Sequence, residues 1–200
     1  MKLLKKKTKG FTILELIITL SLVVIVLGVV YTFFFSNSKT LTTTELNSDL
    51  QFEAEKIQDE LLVVGTESKG ISQVLYLGGL NITDESYNAI SDMQAQEGKI
   101  EVNEIRFVDD NGYYELDYEG TNLTIRKLDN SGNELTEDGY PEVLSKNVTN
   151  LYIRPIDYRM NNLGKFINAP GIEISIILKK NKGYSEVSLP VSTIVKFRNK

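Results

Sequence analysis

From Leu16 to Phe35 the chain runs for 20 residues without a charge, broken only by Thr19, Ser21, Gly28 and Thr32 among aliphatic and aromatic side chains. At a rise of about 1.5 Å per residue this predicts a helix of roughly 30 Å, the thickness of bilayer hydrocarbon. Such a helix closes its backbone hydrogen bonds internally and can span lipid. The pattern then changes. Between Ser36 and Val64, Leu46, Leu50, Ala54, Ile57, Leu61 and Val64 recur every three or four residues, and Glu45, Asp49, Glu53, Glu55, Lys56, Asp59 and Glu60 lie between them. This predicts an amphipathic helix with one apolar stripe, ended by Gly65 as C-cap. The heptad pattern lasts too few turns for a coiled-coil seam, so the stripe is expected to pack on its own domain's sheet.

From Ile71 onward the period shortens to two. Seven runs read as strands: 73–80, 100–108, 113–118, 122–128, 148–156, 172–178 and 187–197. They are rich in Ile, Val, Leu, Tyr and Thr and alternate as antiparallel strands with one buried face do. Asp109-Asp110-Asn111-Gly112, Glu119-Gly120-Thr121 and Asp129-Asn130-Ser131-Gly132-Asn133 supply the turns. Asp84 to Gly98 is polar and reads as a loop or short helix, and Pro190 argues for an edge or a bulge in the last strand. The predicted fold class is α+β. It consists of a leader at 1–10, a transmembrane helix at 11–35, an amphipathic continuation at 36–64 and an antiparallel β domain at 65–200.

Charge orients this arrangement. Lys2, Lys5, Lys6, Lys7 and Lys9 precede the span with no acidic residue among them, and the first acid after it is Glu45. The positive-inside tendency places the N-terminus in the cytoplasm and exports the rest. A secretory signal peptide has a shorter apolar region and a small-residue cleavage site, and neither occurs here. Glu15 is the anomaly. A carboxylate at the head of a membrane span costs up to about 3 kcal/mol if drawn into lipid, and such groups need a partner unless they rest at headgroup level.

The stretch Lys9-Gly10-Phe11-Thr12-Ile13-Leu14-Glu15-Leu16 resembles the class III signal of type IV prepilins. The resemblance implies cleavage between Gly10 and Phe11 by prepilin peptidase on the cytoplasmic side, and N-methylation of Phe11 by the same enzyme family. It makes Glu15 the fifth residue of the processed chain, meeting the free amine of a neighbouring subunit's first residue. Two charges too costly to leave alone in lipid then neutralise each other, and the gain is register between staggered helices. The expected fold is type IV pilin-like. Major pilins often carry a proline two thirds of the way along the span; here Thr32 stands near that place, and Gly28 is the intrinsic weak point of the helix.

A second resemblance lies in the C-terminal half. Pro141-Glu142-Val143-Leu144-Ser145-Lys146-Asn147-Val148 before a strand, and the pair Arg198-Asn199 at the end, look like minor pilins and the J-type pseudopilins of type II secretion. The implied function is that of a non-enzymatic structural subunit, a minor pilin or pseudopilin, of a type IV pilus or related secretion or competence filament. Its partners would be the prepilin peptidase and methylase, other pilin subunits and an inner-membrane assembly platform. It would sit single-pass in the cytoplasmic membrane before assembly and in an extracellular filament or at the cell surface after it. The alternatives are a major pilin and a membrane-tethered binding module or adhesin that does not polymerise.

Composition narrows the chemistry. The chain has no cysteine and no histidine, so no disulfide forms, and thiol mechanisms, the common triads and zinc sites are excluded. No cofactor or metal is expected. Residues 129–133 look superficially like a calcium loop, but the glycine is at the wrong offset and Tyr140 stands where the bidentate glutamate belongs. Leader removal would take five of the 22 basic residues and leave 17 against 27 acidic ones, a balance that does not favour nucleic acid. Lys179, Lys180 and Lys182, and Lys196, Arg198 and Lys200, form basic clusters that read as solvated strand ends. Asn81-Ile82-Thr83, Asn122-Leu123-Thr124 and Asn147-Val148-Thr149 match the glycosylation sequon and read as products of composition.

Overall fold

A computed structural model describes residues 10–77, 81–82, 99–136, 139–156 and 166–198. The lysine-rich leader, the 84–98 segment and Asn199 fall outside the described residues. The chain divides into two compact units, Met1–Thr44 and Glu45–Lys200. One helix, α1 (Ile13–Glu67), contributes to both.

In the first unit Thr12 caps α1. Its carbonyl accepts the Leu16 amide at 3.1 Å and its hydroxyl accepts the Glu15 amide at 3.3 Å. Thr12-x-x-Glu15 is thus the sequence of a capping box, with the acid in the helix's positive first turn. The hydroxyls inside the apolar run turn back on the helix: Thr19 donates to the Leu16 carbonyl, Ser21 to Ile17 and Thr32 to Val29. Each is satisfied without a partner from outside, which is what lets a hydroxyl enter hydrocarbon. The helix continues through Gly28 and Thr32 without a break.

In the second unit the stripe Leu46, Leu50, Ala54, Ile57, Leu61 and Val64 is buried. Gly65 is not the C-cap. The helix runs on to Glu67, and Gly65 is buried inside it against β9: a Cβ there would stand 2.1 Å from Val195 Cγ1. The end is fixed by Ser68, whose amide and hydroxyl both donate to the Val64 carbonyl.

Among the described residues nine strands form the sheet: β1 (Gly70–Tyr76), β2 (Ile100–Val108), β3 (Gly112–Glu119), β4 (Asn122–Asp129), β5 (Glu134–Leu135), β6 (Glu142–Ser145), β7 (Val148–Pro155), β8 (Gly171–Lys182) and β9 (Ser185–Lys196). The order is β5-β4-β3-β2-β7-β8-β9, with β1 on β2 and β6 on β4, and every pairing is antiparallel. Two ladders, β1 to β6 and β7 to β9, meet where Ile100 and Glu101 of β2 pair with Ile153 and Tyr152 of β7. A single turn of 3₁₀ helix, Phe166–Asn168, plugs the core with Phe166.

The strand expectations hold with ends shifted by a few residues, apart from 78–80 of the first run, which lie outside the described residues, and β5 and β6 are additional. Pro190 lies in β9, which ends the strand order, so it occupies an edge position where its missing N–H costs no ladder bond. Alternate residues of the strands, among them Ile105, Phe107, Leu116, Ile125, Leu151, Ile153, Ile174 and Ile176, join the helix stripe in one core. Side chains of this size contribute about 1.5–3 kcal/mol each when fully buried.

Candidate functional site

The N-terminal segment is built so that its chemistry concentrates at one end. Gly10 precedes the helix, and a Cβ there would meet nothing within 4 Å. Phe11 is 77 % exposed. Glu15, in the capped first turn, is the only charged residue between Gly10 and Ser38. Beyond it the large apolar side chains from Leu16 to Phe35 are all exposed. An apolar surface of that length without cover needs lipid or protein around it, and α1 is long and apolar enough to cross a membrane.

The polar flank of α1 in the second unit is clasped by the segment around β6. Glu53 accepts hydrogen bonds from the Ser145 hydroxyl at 2.6 Å and the Asn147 side-chain amide at 2.7 Å. Lys56 pairs with Glu142 at 2.8 Å and donates to the Val143 carbonyl, and the Tyr140 hydroxyl donates to Glu60 at 2.5 Å. Burial first, then the hydrogen bond to Glu60, raises the Tyr140 pKa; burial and Glu67 do the same to Tyr114. The 141–148 phrase singled out in the sequence is therefore where the sheet grips the helix.

The basic cluster at the end of β8 is solvent-facing, and its lysines also pair with surface carboxylates. Lys180 pairs with Asp49 and Lys182 with Glu45, each at 2.9 Å, while Lys179 pairs with Glu186 across the β8–β9 hairpin. At the C-terminus Arg198 pairs with Asp110 at 2.7 Å and Lys69 pairs with the same carboxylate. These partners were hidden because each links residues far apart in the sequence. The 129–133 loop is a turn: both backbone amides of Ser131 and Asn133 donate to Asp129 Oδ1. Among the described residues no cluster of acids is arranged to hold a metal. Asn122 and Asn147 lie in or next to strands, and Thr83 of the third sequon is outside the described residues.

The sheet face turned away from α1 carries a cleft of about 680 Å³ lined by Lys99, Tyr152, Ser175, Ile177, Pro190 and Ser192. Tyr152, Ser175 and Ser192 stand opposite one another on β7, β8 and β9, as do Asn150, Ile177 and Pro190 in the next row. Nothing in the sequence marked this row; it exists only once the register is set.

The family described as the prokaryotic N-terminal methylation motif matches residues 5–31. No curated protein and no solved structure matches the chain. That motif is a class III signal, which implies processing by prepilin peptidase and assembly with other pilins, and it describes a structural segment rather than an enzymatic one. The motif at the head supports a type IV pilin-like family, and the long apolar helix packed on an antiparallel sheet is an α+β architecture of the pilin-like kind.

Proposed function

We propose that the chain is a minor pilin or pseudopilin of a type IV pilus or a related secretion or competence filament, cut between Gly10 and Phe11 and N-methylated on Phe11. The observation that carries this reading is Glu15: one carboxylate, in the first turn of a helix whose next 20 residues are uncharged and exposed. In lipid that charge is unfavourable by an amount on the order of 3 kcal/mol at depth, and the amine of a neighbouring processed subunit removes the penalty. Before assembly the chain sits N-in and C-out, because five lysines precede the span. The assembled form is extracellular, and the chain has no enzymatic role.

Mass spectrometry of the native N-terminus tests the proposal. A methylated Phe11 is expected; a mature protein that keeps Lys2 to Lys9 overturns it. Glu15→Val is expected to insert and be processed yet to enter filaments poorly, and wild-type incorporation of that variant would remove the proposed role of the carboxylate. A membrane-tethered binding module is the second reading, favoured by the cleft on the outer sheet face, and an unprocessed, unpolymerised native protein would select it. Abundance in sheared filaments separates a major from a minor subunit.

A further inference from the structure

We propose that the outer-face cleft over β7, β8 and β9 is a binding site for a neutral oligosaccharide, whether or not the chain polymerises. The cleft holds about 680 Å³, the size range of small-molecule sites, which pair an apolar lining with a few placed polar groups. Its floor and walls have that composition. Ile177 and Pro190 give apolar surface, and Tyr152 offers an aromatic ring and a hydroxyl that is hydrogen-bonded to no described residue. Ile194, 57 % exposed on the same face of β9, extends the apolar surface.

The polar groups are preorganised by one another. Lys99 Nζ donates to Ser175 Oγ at 2.6 Å and pairs with Glu173 Oε1 at 2.8 Å. Ser192 Oγ donates to Glu173 Oε1 at 3.0 Å and lies 3.1 Å from Ser175 Oγ. Arg154 closes the other side of Glu173, and Asn150 donates to Glu101 at 2.8 Å. Side chains held this way keep their positions when a ligand arrives, so little ordering entropy remains to be lost.

Charge selects the ligand class. Lys99 and Arg154 both pair with Glu173, Glu101 beside them accepts from Asn150, and the two cations and two carboxylates leave the rim without net charge, which favours a neutral ligand. What the site offers is a row of hydroxyl donors and acceptors beside an aromatic ring and an aliphatic floor. A ligand that complements both at once carries many hydroxyls on one aspect and C–H groups on another, which describes a sugar ring. The row crosses three strands, so more than one ring can lie along it.

The test uses the full chain in a zwitterionic detergent without a sugar headgroup. Saturation-transfer NMR is recorded with maltotriose, cellotriose and triacetylchitotriose at millimolar concentration. Transfer to the ring protons of at least one trisaccharide is expected. It should weaken about tenfold or more in Tyr152→Ala and in the Ser175→Ala, Ser192→Ala double variant, as a central contact residue does, and persist in Tyr184→Ala at the β8–β9 hairpin tip. The double variant changes two hydroxyls on an open face and keeps the proposal testable should Tyr152→Ala unfold. Absence of transfer to all three sugars from folded protein overturns the proposal. So does transfer that the double variant leaves intact, or binding confined to a sulfated sugar or to an extended peptide added along β9.

Discussion

Gly65 shows how one residue can be read correctly as special and wrongly as to why. A glycine after a helical stripe looks like a terminator; here it is a contact, with Val195 where a side chain would go. Gly65→Ala gains helix propensity of up to about 1 kcal/mol but forces a strand valine aside, and overpacking of this kind costs about 1–3 kcal/mol. A net loss of stability is expected, measured as a lower urea midpoint at unchanged slope. Glu173 supplies the pH prediction. Burial alone would raise its pKa, but hydrogen bonds from Lys99, Ser192 and Arg154 outweigh that and hold it below the usual carboxylate value. Its contribution is therefore present above the unfolded-state pKa and lost as pH falls through the lower folded value. Glu104 and Asp117 act in the opposite sense, their carboxyls raised chiefly by burial, so protonating them relieves a penalty. Wild type is expected to lose stability as pH drops below about 4, and Glu173→Gln to lose less over that interval in acid-unfolding curves. At this scale the sequence disclosed Glu15, because a lone charge beside an apolar run is visible without a structure. Thr12-x-x-Glu15 spells a capping box, but apolar residues flank Thr12 on both sides and leave the helix start unmarked, so the cap shows only in the hydrogen bonds.

Among elements, the helix stripe was fully legible: six apolar residues at helical spacing, all buried as a set. Strands of seven residues or more were legible for the same reason of period. The two-residue β5 and four-residue β6 were not, because alternation needs more length than they have. The pairing of acids on α1 with lysines on β8 was illegible too, as Lys182 and Glu45 are 137 residues apart. Both pairs are well over a third exposed on at least one side, so each is worth no more than about 1 kcal/mol. Their effect is local. Reversing both charges, Lys180→Glu with Lys182→Glu, is expected to leave global stability within about 2 kcal/mol while the amides of 45–50 exchange faster. Hydrogen-exchange mass spectrometry checks this, and protection over 57–64, which neither lysine contacts, should not change.

For the molecule as a whole, the buried core draws, among the described residues, on those from Leu46 to Phe197 and on none before Thr44. A chain of residues 45–200 is thus expected to be soluble and to unfold in one cooperative urea transition, checked by circular dichroism; a broad, non-cooperative loss of signal would contradict it. An apolar run without charge and an acidic, strand-rich remainder cannot share one solvent, but composition does not set the boundary at Thr44, which falls inside one continuous helix. The cleft was beyond reach of the sequence because Tyr152, Ser175 and Ser192 become neighbours only through the register of three strands.

The join between the two ladders has a mechanical consequence. Among the described residues two residue pairs ladder β2 to β7, helped by the Tyr118 hydroxyl on the Thr149 carbonyl, the Val148 amide on the Thr121 carbonyl and the Asn150 side-chain amide on Glu101. By contrast β8 and β9 are laddered along their entire length. Tension that pries the halves apart breaks a handful of bonds at this suture, whereas shear along the hairpin must break a dozen rungs together. The head is thereby weak in one direction and stiff in another, with α1 as the splint across the seam.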